Sequence, residues 1–103
     1  SWTGSPVRNG RVRGMVEREI EVVNRLGLHA RAAAKLVHLT SARKSRVLIV
    51  RDGEEVDAKS ILGILLLAAG QGSRLTVRCE GPDEAEALDA VAQLFADRFQ
   101  EES

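Results

Sequence analysis

Over residues 16–23 the chain reads Val-Glu-Arg-Glu-Ile-Glu-Val-Val, and a few residues later this period of about two gives way to an alanine-rich run with helical spacing. That change of period constrains the fold more than any other feature. A period of two buries one face of a strand, and a period of 3.6 buries one stripe of a helix. The break falls in Asn24-Arg25-Leu26-Gly27-Leu28-His29. From Ala30, good helix formers continue to about Ala42, with Ala33, Leu36, Val37 and Thr40 on the inward stripe.

The same alternation of periods recurs downstream. Arg46-Val-Leu-Ile-Val-Arg51 reads as a second strand, and Asp52-Gly53 is a two-residue hairpin signal returning the chain through residues 54–58. Ser60 is placed to cap a short helix over residues 61–69, with Gly70 and Gly72 as its stops. Residues 73–80 alternate again, with Leu75, Val77 and Cys79 on one face. Gly81-Pro82-Asp83-Glu84 opens a last helix, whose inward stripe is Leu88, Val91, Ala92, Leu94 and Phe95, extended by Phe99.

The order is therefore β-α-β-β-α-β-α. Strands with one polar face imply an α+β two-layer, open-faced sandwich: a four-stranded antiparallel sheet covered on one face by three helices. The length of 103 residues fits one domain with a modest core. Residues 1–14 are Gly-, Ser- and Arg-rich without apolar periodicity. They read as a flexible basic extension, or as a leader ahead of a natural start at Met15, with residues 15–103 as the folded domain.

Charge and composition exclude several functions. The 15 basic and 15 acidic residues cancel, and Arg8, Arg11 and Arg13 of the extension leave a mildly acidic body. With aromatics at 3% and no Tyr, neither a basic surface nor a stacking platform for nucleic acid is present. The single cysteine, Cys79, excludes an internal disulfide and suits a reducing compartment. The longest apolar run, residues 61–69, is far below the roughly 20 residues of a membrane span. A cytoplasmic monomer without membrane insertion is the expectation. No P-loop, dinucleotide fingerprint or zinc-type cysteine pairing occurs, so no metal and no cofactor are expected.

His29 is the chemical candidate. It stands at the mouth of the first helix, where backbone N–H groups lack internal partners and the dipole end is positive. Ala30, Arg31 and Ala32 supply those amides as an anion cradle, and the Arg31 guanidinium adds a permanent cation suited to phosphate oxygens. A nucleophilic ring nitrogen and a phosphate site thus fall together. The same position would also suit a histidine that only caps the helix, and position alone does not separate the two.

The segment Leu26-Gly-Leu-His-Ala-Arg-Ala-Ala-Ala-Lys-Leu-Val37 resembles the active-site segment of HPr, the histidine-containing phosphocarrier of the bacterial phosphoenolpyruvate-dependent phosphotransferase system. Val56-Asp-Ala-Lys-Ser-Ile-Leu-Gly63 resembles that family's second signature, around its regulatory serine, and Gly70-Gln-Gly72, Leu75-Thr-Val77 and Gly81-Pro-Asp-Glu84 fall in matching order. The resemblance covers roughly residues 16–99. It implies that enzyme I places phosphate on Nδ1 of His29, that Arg31 assists the phosphorylated ring, and that IIA-type domains receive the group. Two departures stand out. Ala32 occupies the place of the family's usual proline, and Leu26 that of a smaller or polar residue.

By the same resemblance Ser60 matches a serine that a dedicated kinase phosphorylates, and a phosphorylase restores, in some members; as an N-cap it also has a purely structural use. The helix after it is apolar nearly all round. Ile64 and Leu67 are expected to point inward, leaving Ile61, Leu62 and Leu65 as an exposed partner surface, which the resemblance places beside His29. His38 reads as a surface residue and Cys79 as a buried structural thiol. The competing function is a regulatory docking module of the same fold, which would use Ser60 and the apolar patch but would need neither His29 nor Arg31.

Overall fold

The computed structural model describes residues 11–12 and 15–100. Its strands are β1 (Arg11–Val12), β2 (Met15–Glu21), β3 (Arg46–Arg51), β4 (Glu54–Asp57) and β5 (Arg74–Glu80); its helices are α1 (Ala30–Ser41), α2 (Ile61–Leu66) and α3 (Glu84–Ala96). A short 3-10 turn follows at Arg98–Gln100. The strands form one antiparallel sheet in the order β1-β2-β5-β3-β4. Four of them are the strands that the periodicity predicts, and with three helices they make the open-faced α+β sandwich. The fifth, β1, is a two-residue pairing of Arg11 with Val16 and of Val12 with Met15. It lies inside the segment expected to be a flexible extension. The rest of that segment, including Trp2, Arg8 and Arg13, lies outside the described residues, as does the Glu-Glu-Ser end.

Register explains the layering. Val16 and Val47 both pair with Cys79, Ile49 pairs with Val77, and Ile20 with Leu75, so one row of apolar side chains crosses three strands. Those residues are buried against Ala33 and Leu36 of α1, Ile64 of α2, and Ala87, Val91 and Phe95 of α3. The opposite face is charged. Arg78 donates to Glu17 and Glu55 at 3.1 Å each, and Arg74 reaches Glu19 at 3.5 Å.

Burial also sets the properties of Cys79. Its thiol is pushed up from 9.0 to about 12, chiefly by burial and further by the Asp83 and Glu84 carboxylates. The folded state therefore holds this proton where the unfolded chain releases it. The corresponding stability is complete below pH 9.0 and is lost as pH rises towards 12. A decline in melting temperature through that window, flattened in Cys79→Val, is the expected result. An equally steep decline in the variant would assign it elsewhere.

Two element ends differ from the sequence expectation. α2 stops at Leu66 rather than near residue 69, because Ala68 turns into the left-handed region at φ 50°. Phe99 is fully buried, 4.8 Å from the Phe95 ring, but it gets there through a left-handed turn at Arg98–Gln100 and not by continuing α3. Asp83 caps α3 without a side-chain bond to it. Its carboxylate instead accepts from the Ser45 hydroxyl and from the backbone N–H groups of Lys44 and Ser45. Those bonds, the Ser45 hydroxyl first, hold it below the usual carboxylate range.

Ala68 gives a direct test of backbone strain. A non-glycine residue in the left-handed region costs roughly 1–2 kcal/mol, part of which glycine returns through its freer unfolded state. Ala68→Gly is expected to raise stability by about 0.5–1 kcal/mol, read as a higher urea midpoint at unchanged slope. A lower midpoint would show that the strain is relaxed in solution.

Candidate functional site

β2 ends at Glu21, and Val22 and Gly72 tie its exit to the β5 entry through Val22 N–H to Ser73 O and Gly72 N–H to Val22 O, 2.8 Å each. The chain then turns through a tight loop. Asn24 is buried and its side-chain amide donates to Gly27 O at 2.8 Å, while Gly27 N–H donates to Asn24 O at 3.2 Å. Gly27 has φ 69°, and a Cβ there would lie 2.6 Å from Ala69 O and 2.7 Å from Gly70 Cα. Leu28 N–H donates to that same Ala69 O at 2.9 Å, with the Leu28 side chain buried. The loop is thus pressed onto the segment that follows α2.

His29 leaves this loop as the N-cap of α1, in extended conformation at φ −79° and ψ 179°. Its Nδ1 accepts from Arg31 N–H at 3.2 Å, and its carbonyl takes the first intrahelical bond, from Ala33 N–H at 2.8 Å. An Nδ1 that accepts a hydrogen bond carries a lone pair, so the neutral ring holds its proton on Nε2. The nucleophilic nitrogen therefore faces the helix N-terminus. The N–H groups of Ala30 and Ala32 have no backbone carbonyl partner among the described residues. Arg31 is exposed, and its guanidinium makes no bond among the described residues.

Ala32 is fully buried. Its methyl belongs to the core, and its N–H, like that of Ala30, has no backbone carbonyl partner among the described residues.

Ser60 is half-buried at the start of α2, and its Oγ accepts from Gly63 N–H at 3.2 Å. Ile64 and Leu67 are buried, as their spacing predicts. Ile61 and Leu62 are exposed, at 42% and 74%. Leu65 corrects the expectation: it is partly buried against the core, and Leu66, 75% exposed, takes its place at the surface. At 100° per residue Leu66 lies one turn from Leu62 and nearly opposite Ile64, whereas Leu65 sits closer to the buried side. Leu26 is a further exposed apolar residue, at 65%. His38 is exposed, and Cys79 is buried as expected.

Sequence reading missed Asn24, which closes the loop before His29, and Arg51, which reaches across to the carbonyls after α2. Asn24 offered only the general turn preference of an asparagine shortly before a glycine; its burial was not written locally. Arg51 gave no local signal, since its partners lie 16 and 17 residues away. No group of three His, Cys, Asp or Glu side chains able to hold a metal occurs among the described residues. No helix among them is long and apolar enough to cross a membrane.

Residues 16–97 match the family model described as the PTS HPr component phosphorylation site. A phosphocarrier protein HPr of Cupriavidus necator is 52% identical over 87 residues, 84% of this chain and 98% of that protein. A phosphocarrier protein NPr of Shewanella violacea is 41% identical over 88 residues, 85% of this chain and 97% of the other. Among solved structures, HPr-C-His from Thermoanaerobacter tengcongensis superposes with a TM-score of 0.82 at 41% identity, covering 84% of this chain and 98% of that one. Another structure from that organism, described as an HPr dimer, has a TM-score of 0.68 at 41% identity, covering 80% and 94%.

Proposed function

The chain belongs to the HPr family of phosphotransferase-system phosphocarriers, and from that premise we propose that His29 accepts a phosphoryl group from phospho-enzyme I and passes it to IIA-type domains. The observation that carries this reading is the Arg31 N–H to His29 Nδ1 bond, 3.2 Å. It aims one lone pair at the positive end of α1 and leaves the ring proton on the far nitrogen. In the transfer, that lone pair forms the Nδ1–P bond as the bond between phosphorus and the donor atom breaks. The Arg31 N–H, released from the ring nitrogen, then donates to a phosphoryl oxygen, with the Ala30 and Ala32 amides beside it. The Arg31 guanidinium offsets the added charge. Onward transfer runs the same steps in reverse against an acceptor.

A carrier needs a shallow site, because its partners supply the rest. His29 is only half-buried, and the exposed Ile61, Leu62 and Leu66 with Leu26 offer apolar surface for docking. A pure docking module would need neither the aimed ring nitrogen nor Arg31. Sugar uptake and nitrogen-linked regulation use the same chemistry at this atom.

The test is incubation with enzyme I and labelled phosphoenolpyruvate. One acid-labile phosphate per chain, with nitrogen NMR placing phosphorus on Nδ1, is expected. No label on folded protein with competent enzyme I would overturn the reading. An acid-stable phosphate formed with ATP and cell extract, absent in Ser60→Ala, would establish the second modification.

A further inference from the structure

We propose that Arg51 is a positioning residue for phosphoryl transfer, holding the end of α2 so that Ala69 can set the loop carrying His29. The inference rests on the phosphocarrier reading above. Arg51 ends β3, at a hairpin turn whose Asp52 and Gly53 take φ 50° and 85°. Its side chain does not remain over the sheet. Nη1 donates to Leu67 O at 2.6 Å and to Ala68 O at 3.1 Å, and Nε lies 3.8 Å from the Asp52 carboxylate.

α2 needs such a donor. It has six residues, no basic side chain in its last turn, and an alanine rather than a glycine where the chain turns left-handed. The carbonyls at a helix end lack internal partners; here Leu67 and Ala68 N–H turn back to Ile64 O and Leu65 O, and the Arg51 guanidinium takes the carbonyls of the C-cap Leu67 and of Ala68 just beyond it. The next residue, Ala69, is buried, and its carbonyl accepts from Leu28 N–H at 2.9 Å while lying against Gly27. Leu28 directly precedes the capping histidine. The connection is therefore continuous: Arg51 to the Leu67 and Ala68 carbonyls, Ala69 to Gly27 and Leu28, then His29 with Nδ1 on Arg31 N–H.

No part of this path touches the reacting atoms, so its effect falls on geometry. If the Ala69 carbonyl shifts, Leu28 loses its anchor, and the ring is freed from the single orientation that presents Nδ1 to the helix. Misplacement of about 1 Å can cost far more in rate than in binding. A residue that only stabilised the fold would leave the folded fraction reacting normally.

The experiment compares wild type, Arg51→Gln and Arg51→Lys as substrates of enzyme I, well below each melting midpoint. It also compares the nitrogen NMR signals of the His29 ring in the unphosphorylated proteins. Arg51→Gln is expected to lower kcat by about tenfold with KM unchanged, and to move the Nδ1 signal away from its hydrogen-bonded position. Arg51→Lys, which keeps a cationic donor, should recover part of both. Wild-type kcat and unchanged ring signals in Arg51→Gln would overturn the proposal. A raised KM at normal kcat would also overturn it, by assigning Arg51 to partner contact. Should Arg51→Gln not fold, Arg51→Lys decides by the same two readouts. If wild type takes no phosphate from competent enzyme I, the function reading fails, while the ring signals still decide whether Arg51 orients His29.

Discussion

His29→Ala takes no phosphate from enzyme I and labelled phosphoenolpyruvate, while remaining folded. Its cost to stability is small, because a lost N-cap is worth about 1 kcal/mol and the site is only half-buried. His29→Asn makes the sharper comparison. Asparagine is among the best N-caps, and its side-chain oxygen can take the Arg31 N–H that Nδ1 accepts at 3.2 Å. It has no nucleophilic nitrogen. A histidine serving only as a cap would be replaced without consequence; a phosphocarrier histidine would not. The expected outcome is a melting temperature near wild type and no acid-labile label. Label persisting in His29→Asn would place the phosphoryl group elsewhere.

The second large effect comes from Gly27→Ala. At φ 69° an alanine carries the left-handed penalty of roughly 1–2 kcal/mol. Its methyl would also lie 2.6 Å from Ala69 O and 2.7 Å from Gly70 Cα, both of them backbone atoms with no rotamer to yield. Overpacking of this kind adds about 1–3 kcal/mol. The total is a sizeable part of the 5–15 kcal/mol that usually holds a domain together. Gly53→Ala separates the two contributions, since Gly53 has φ 85° with nothing within 4 Å of an added methyl. It should lose only about 1 kcal/mol. Urea unfolding measures both variants. Amide exchange at Leu28, accelerated in Gly27→Ala beyond the change in global stability, reports the broken bond to Ala69 O. Equal losses in the two variants would mean that the loop moves aside freely.

Much of this was legible in the chain itself. The strand faces followed from alternation: Val16, Ile20, Leu75, Val77 and Cys79 are buried as their spacing required. His29 was placed at the mouth of α1 by the break at Gly27 and the alanines after it. Asp52-Gly53 gave the hairpin. Each of these is written within a few residues, where backbone geometry and side-chain period act directly.

α2 marks where that reading ended. Six residues that are nearly all apolar have no polar face from which to infer orientation, so Leu65 and Leu66 could be assigned only by what α2 packs against. Phe99 was legible as core, but the left-handed turn that buries it was not, because the turn is held by packing on Phe95 and by Lys35 Nζ donating to Phe99 O at 2.6 Å.

By itself, then, the sequence determined the order of the four main strands and three helices, the faces of the strands and a histidine followed by the first-turn amides of a helix. Only the tertiary structure decided which ring nitrogen faces those amides, why residue 27 must be glycine, and that Arg51 closes the end of α2. The reason is distance along the chain. Ala69 meets Gly27 and Leu28 across some forty residues, and no local period records which carbonyl the folded sheet and helices will bring to that loop.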